Sequence, residues 1–230
     1  MIELHYWPTP NGHKVAIALE EMSLAYKVYP VNIGKGDQFK PEFLAFSPNN
    51  RIPAIIDHDT TNGKPQSIFE SGAILLYLAE KTGQFLPSNQ REKIAVYEWL
   101  IWQMGGFGPM LGQAHHFNFY APDRIPYAMD RYSNEANRLY GVLDRQLADH
   151  EYVAGEYSIA DMAIFPWTRT FKRQNVNIED YKHVMRWRQL VSERPVVKKA
   201  FSVGKELRED LKNLDDAEWK KLFGSEHKAG

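Results

Sequence analysis

The stretch RIPAIIDHDTTNGKPQSIFESGAILLYLAEKTG, residues 51–83, decides how the first part of the chain folds. Two short strand-like runs, RIPAIIDHD and KPQSIFE, are joined by the turn-forming TTNG. A helix follows over residues 71–81, with Ile74, Leu75 and Leu78 recurring at helical spacing. Gly83 is a residue type that closes such a helix in the left-handed conformation. Pro53 opens the first strand: it cannot donate to a sheet, and an X-Pro bond is the one type that readily becomes cis. A cis Ile52–Pro53 bond leaves the N–H and C=O of Ile52 turned outward, able to pair with an extended peptide ligand like an added strand; an ordinary trans bond is the alternative. Ser71 is expected as an N-cap. The functional alternative is a ligand carboxylate at the helix start, where unpaired N–H groups and the dipole favour an anion, while Glu70 accepts from a ligand ammonium. Together these would read the zwitterionic end of an amino acid.

Upstream, residues 2–7 read as a strand ended by Pro8 and Pro10. Val15, Ala18, Leu19 and Met22 then fall at i, i+3, i+4 and i+7, which predicts a helix over residues 12–22 with one packing face. AYKVYPVNI, residues 25–33, reads as a second strand, placed by Pro30 at an edge or a strand end. The polar GKGDQFKPEF reads as a loop, so residues 1–83 run β-α-β-β-β-α. Downstream of a linker at residues 84–89 no strand pattern remains. Residues 90–206 read as an all-helical domain, and residues 207–230 as a charged tail that docks late or frays. Ser158 and Asp161 have capping-box spacing, with Tyr157 and Met162 placed for a hydrophobic staple. GGFGPM lacks the Lys-Ser/Thr of a phosphate loop and is expected to kink a long helix beside the pocket. His115 and His116 lack the i, i+4 spacing of two metal ligands on one helix face, and no metal site is expected.

The 230 residues carry 28 Lys+Arg against 29 Asp+Glu, a net charge of −1 that gives no field for holding nucleic acid or an acidic membrane surface. Apolar runs such as AILLYLA are too short to span a bilayer, and the chain reads as soluble, unexported and cytoplasmic. There is no cysteine. Disulfides, thiolate metal sites and a protein-borne redox pair are therefore excluded, and any sulfur chemistry must use a ligand's sulfur.

RIPAI, ESGAILLYLAEKTG and YSIADMAIFPW, in that order over residues 1 to about 205, resemble the glutathione transferase family. PTPNGHK, GKGDQFKPEFLAFSPNNRIPAI and WQMGGFGPMLGQAHHFNFY are similar to its bacterial Nu class, glutathione-dependent disulfide-bond oxidoreductases related to the yeast nitrogen-regulatory prion protein. The resemblance implies a thioredoxin-like α/β domain followed by the all-helical domain, a homodimer, and glutathione or its disulfide as ligand. The larger family places a Tyr, Ser or Cys near the end of the first strand to stabilise the glutathione thiolate. Tyr6 lies in the strand and reads as structural, so the Nu resemblance points to Thr9 and Asn11. A hydroxyl and an amide at a helix start can donate to sulfur, and the dipole there lowers a thiol pKa; a plain turn with an Asn cap is the alternative. The resemblance further implies Gln38 at the glycine end of glutathione, the Ile52 backbone beside Pro53 at its cysteinyl unit, and Glu70 and Ser71 at its γ-glutamyl end. Arg131 is implied to come from the helical domain, and Asn50 and Arg51 lie near in sequence. Three functions follow as expectations: disulfide reduction with two glutathiones, conjugation in an apolar pocket lined by residues such as Trp7, Phe107, Met110 and Phe117, and a non-catalytic binding module.

Overall fold

The computed structural model describes residues 1–61, 63–207 and 216–224. Alternation along β1 (Ile2–Tyr6) puts Ile2, Leu4 and Tyr6 on one buried face. β1 pairs in parallel with β2 (Tyr26–Pro30) and antiparallel with β3 (Ala54–Asp57), and β3 pairs antiparallel with β4 (Gln66–Phe69), giving the order β2-β1-β3-β4. The register sets Leu4 opposite Val28 on one side and Ile55 on the other. Both strands of the opening βαβ unit are shorter than the sequence suggests. Residue 7 falls outside β1, and β2 stops at Pro30 on the sheet edge.

α1 (Pro10–Glu21) begins two residues earlier than its periodicity predicts. Thr9, in extended conformation, is the N-cap, and Pro10 takes the first helical position, where no N–H is needed. Val15, Ala18, Leu19 and Met22 are buried as the spacing requires, yet so are Ala16 and Ile17. α1 packs on α3 (Ser71–Thr82) and also on α7 (Ile159–Thr168) and α9 (Pro195–Ala200), so the helical domain covers what a lone βαβ unit would expose. Full burial of Val15, Ile17 and Leu19 contributes about 2 kcal/mol each.

The segment read as a loop holds a 3₁₀ turn at Asp37–Phe39 and the short α2 (Pro41–Leu44), whose Pro41 starts the helix. In the expected TTNG turn Asn62 lies outside the described residues, while the Gly63 N–H donates to the Thr60 carbonyl. α3 ends at Gly83 with φ 67°, as expected.

Past Asn89 the described residues form no further named strand, only isolated bridges between residues 152 and 156. α4 (Gln90–Trp102) continues into α5 (Gly108–His115) through a π turn at Gln103–Phe107, the place marked by GGFGPM. α6 (Pro126–Ala148) and α8 (Lys182–Glu193) complete the helical core with α7. Ser158 caps α7 in a full capping box, and Asp161, fully buried, also accepts from the Val153 N–H and the Trp187 indole N–H. The Tyr157 ring beside it meets Phe85, Tyr152 and the Arg194 guanidinium. Of the tail, α10 (Asp216–Phe223) is docked. Its Trp219 donates to the Tyr120 carbonyl and its Phe223 ring lies 4.9 Å from that of His116. Residues 208–215 and 225–230 of the tail lie outside the described residues. One continuous apolar core joins the sheet to the helical domain. Among the described residues no helix is long and apolar enough to cross a membrane.

Candidate active site

The start of α1 is built by close packing. A Cβ on Gly12 would lie 2.3 Å from the Trp7 carbonyl oxygen and 2.9 Å from the Tyr6 ring, so only glycine lets the chain turn from β1 into the helix here. Thr9 Oγ1 accepts the Gly12 N–H at 3.2 Å, which leaves the hydroxyl proton available to donate. Tyr6 is excluded from such a role. It is fully buried, its O–H donates to the Val203 carbonyl at 3.2 Å, and its oxygen lies 3.0 Å from His13 Nδ1. Asn11, one residue into the helix, accepts the indole N–H of Trp167 at Oδ1 over 2.9 Å.

Asn11 opens on a cleft of about 480 Å³ between the two domains, which Ile52, Pro53, Glu70 and Ser71 also line. The Ile52–Pro53 bond is cis. The sheet ladder begins at Ala54, so the peptide groups of Ile52 lie outside it. Glu70 has φ 69° and ψ 118°, an unusual conformation for a residue with a side chain, and its Oε1 accepts from Asn49 Nδ2 at 3.0 Å. The expected cap is shifted by one residue. Glu70 is the N-cap, because its carbonyl takes the first helical bond from the Ile74 N–H, and Ser71 is the first helical residue. Ser71 thereby turns inward, nearly buried, with Oγ 3.5 Å from Lys14 Nζ.

Lys14 was not among the residues expected at the site. It is 1% exposed and lines the cleft, with Nζ donating to Gln103 Oε1 at 2.7 Å and lying 3.6 Å from Met104 Sδ. All three contacts are neutral. Burial therefore holds its pKa well below the usual lysine range, and the Glu70 carboxylate opposes this only in part. A signal existed: Lys14 stands at i+3 from Asn11, on the same side of α1. Its burial, however, depends on the π turn of another domain. Gln103, Met104 and Trp167 were missed for the same reason, since each is brought to the cleft by tertiary packing.

The remaining expected residues are dispersed. Thr9 caps the helix next to the cleft but does not line it. Gln38 is 5% exposed and donates to the Ile33 carbonyl at 3.3 Å, and its buried Oε1 has no protein partner among the described residues. Arg131 is exposed on α6 and lines a separate cavity of about 600 Å³ with Met110, Tyr127 and Glu135. Arg51 lines the cleft, whereas Asn50 is not part of its lining. The apolar pocket expected from Trp7, Phe107, Met110 and Phe117 is not assembled. Trp7 and Phe107 are buried, with Phe107 against Trp102 and Tyr140, Met110 faces the Arg131 cavity, and Phe117 stacks on Tyr132. The apolar wall of the cleft is instead Phe69, Met104, Pro109 and Trp167.

A small mixed sheet, a cleft beneath the start of its first helix, and an attached helical domain together define the glutathione S-transferase class. Residues 9–81 match the glutathione S-transferase N-terminal domain and residues 113–195 the C-terminal domain. The chain belongs to this family. It is 53% identical over 203 residues to the disulfide-bond oxidoreductase YfcG of Escherichia coli, covering 87% of this chain and 94% of the relative. It is 44% identical over 234 residues to YghU of the same organism, covering 94% and 80%. Among solved structures, a Pseudomonas putida glutathione transferase with one glutathione disulfide bound per subunit superposes with a TM-score of 0.85 at 46% identity, covering 88% of this chain and 91% of that one. A Burkholderia graminis glutathione transferase with two glutathione molecules bound per subunit gives 0.84 at 42% identity, covering 89% and 88%.

Proposed function

We propose that this protein is a glutathione-dependent disulfide-bond reductase of the Nu class, working in the cytoplasm as a homodimer. The observation that carries the reading is a cleft lined by Asn11 and set beside the N-terminus of α1, which Thr9 caps, in a chain without any cysteine. Support comes from relatives named as disulfide-bond oxidoreductases and from similar structures that hold glutathione disulfide or two glutathiones.

Because no protein thiol exists, both attacking sulfurs come from glutathione. The first thiolate attacks one sulfur of the substrate disulfide: a new S–S bond forms, the old one breaks, and the leaving thiolate takes up a proton. The second thiolate then attacks the glutathione sulfur of the mixed disulfide, releasing the second substrate thiol and glutathione disulfide. The balance is one disulfide and two glutathiones to two thiols and one glutathione disulfide. The protein raises the thiolate fraction and aligns three sulfurs. Thr9 O–H and Asn11 N–H donate to sulfur, the Ile52 main chain pairs with the cysteinyl unit, and Glu70 and Ser71 hold the γ-glutamyl end. Gln38, shifted from its present bond to Ile33, takes the glycine end, and Arg131 reaches a ligand carboxylate in its own or the partner subunit.

Initial rates with glutathione on a small mixed disulfide and on an aryl halide, each against a no-enzyme control at one pH, test this. Disulfide reduction that is the faster reaction and is lost in Thr9→Ala and Asn11→Ala supports it. Strong conjugation with little disulfide turnover leaves a conjugating transferase; silence in both favours a binding module.

A further inference from the structure

An indole N–H can only donate, so the Asn11 atom 2.9 Å from Trp167 Nε1 must be the carbonyl oxygen, and the amide NH₂ occupies the other branch of the planar group. Among the described residues no protein acceptor is paired with that NH₂, while Asn11 itself lines the cleft. An asparagine free to rotate would offer sulfur a donor in one orientation and a repelling oxygen in the other. Here the choice is made by a residue 156 positions away, in the other domain.

The position of Trp167 is itself tightly defined. Its ring lies on a glycine face of α5: a Cβ on Gly112 would come within 3.3 Å of ring carbon Cη2, and one on Gly108 within 3.4 Å of Nε1. These two glycines are four apart and so share one side of the helix. The same Gly108 Cβ would strike Gln103 Nε2 at 2.5 Å, which ties the glycine face to the cleft's polar floor. The Trp167 carbonyl is held in turn by Gln174 Nε2 at 2.9 Å and Thr170 Oγ1 at 3.1 Å.

We propose that Trp167 is a positioning residue for thiol–disulfide exchange: its indole N–H fixes the Asn11 carbonyl, so that the amide N–H alone faces the glutathione sulfur. The proposal rests on the reading of Asn11 as a donor to that sulfur. It makes the helical domain part of the thiolate site without touching the ligand's reacting atom.

The test titrates the thiolate of bound glutathione by its ultraviolet absorbance against pH and measures kcat and KM for a small disulfide, in wild type, Trp167→Phe, Asn11→Ala and Asn11→Asp. Trp167→Phe keeps a ring on the glycine face but removes the donor. It is expected to raise the apparent pKa of the bound thiol by about one unit and to lower kcat about tenfold, with KM for glutathione within about twofold. Combined with Asn11→Ala it should add little to either single change, because both remove one interaction. Asn11→Asp leaves Trp167 packed and its N–H bonded but presents a second oxygen to sulfur, so the thiol pKa should rise further than in Asn11→Ala. This arm stands even where Trp167→Phe does not fold. An unchanged thiol pKa and kcat in Trp167→Phe, with Asn11→Ala impaired, overturns the role of Trp167 and leaves the function standing. Asn11→Asp matching wild type overturns the orientation. Asn11→Ala without effect sinks the donor reading and this inference with it.

Discussion

Lowering the pH should cost this protein stability at one buried imidazole in particular, His115 at the end of α5. The ring is 9% exposed, stacked on Tyr120 at 4.8 Å with an interplanar angle of 22° and edge-on to Phe119, and among the described residues its Nε2 has no protein partner. Burial lowers its pKa from 6.5 to about 4, helped by the positive charges of Arg173 and His116. The folded state therefore binds this proton less readily than the unfolded chain. Its contribution to stability is complete above about pH 6.5 and is lost as the pH falls towards 4. A shift of about 2.5 units is worth about 3 kcal/mol, a large share of the ~5–15 kcal/mol typical of a folded domain. Carboxylates such as Asp37 and Asp57, held low by Lys40 and Lys81 among other contacts, lose stability in acid as well. The informative quantity is thus the difference between wild type and His115→Phe, which keeps the ring stack and cannot take a proton. Urea unfolding followed by tryptophan fluorescence should place the two within about 1 kcal/mol at pH 7.5. The variant should gain on wild type by about 3 kcal/mol on going to pH 4. A constant difference across that range would refute the reasoning.

Three further outcomes follow from the geometry. Thr9→Ala removes the cap on Gly12 and a hydroxyl donor together, so it should cost about 1 kcal/mol in urea unfolding and lower kcat more than it changes the glutathione KM; equal losses would reduce Thr9 to a binding group. Ser158→Ala should cost about 1 kcal/mol or more in the same unfolding assay, since the capping box at α7 lies in the buried core, and a loss below ~0.3 kcal/mol would contradict that. Glu70→Gln retains an acceptor for Asn49 but removes the charge facing a ligand ammonium. Glutathione KM should rise about tenfold with kcat nearly unchanged, and an unaltered KM would remove Glu70 from the γ-glutamyl subsite.

What could be read along the chain was whatever depends on local spacing. Period-two alternation in residues 2–6, the i, i+3, i+4 pattern of α1, the glycine after α3 and the Ser158–Asp161 box are each set within about ten residues, and each stands where expected. The shifted edges have equally local causes: Pro10 starts α1 early, and the Glu70 carbonyl takes the first bond of α3. The absence of cysteine determined, before any fold was known, that any thiol chemistry must use a ligand's sulfur. Motif resemblance located Asn11, Ile52, Pro53, Glu70 and Ser71, which do share a cleft, because they sit at strand and helix ends of one βαβ-ββα unit.

Only the tertiary structure decided what lies between the two domains. Spacing gives α1 one buried face, but α7 and α9 cover more of it, and the π turn at Gln103–Phe107 takes Lys14 out of water. Of the residues expected to make an apolar pocket, Trp7 and Phe107 are buried, Phe117 stacks on Tyr132 and Met110 lines another cavity, while Met104, Pro109 and Trp167 form the wall. The bond from Trp167 to Asn11 spans 156 residues and needs two glycines on α5 to admit the ring. Contacts at such separation leave no period in the sequence, because they are chosen by how packed helices approach one another and not by the geometry of a single element.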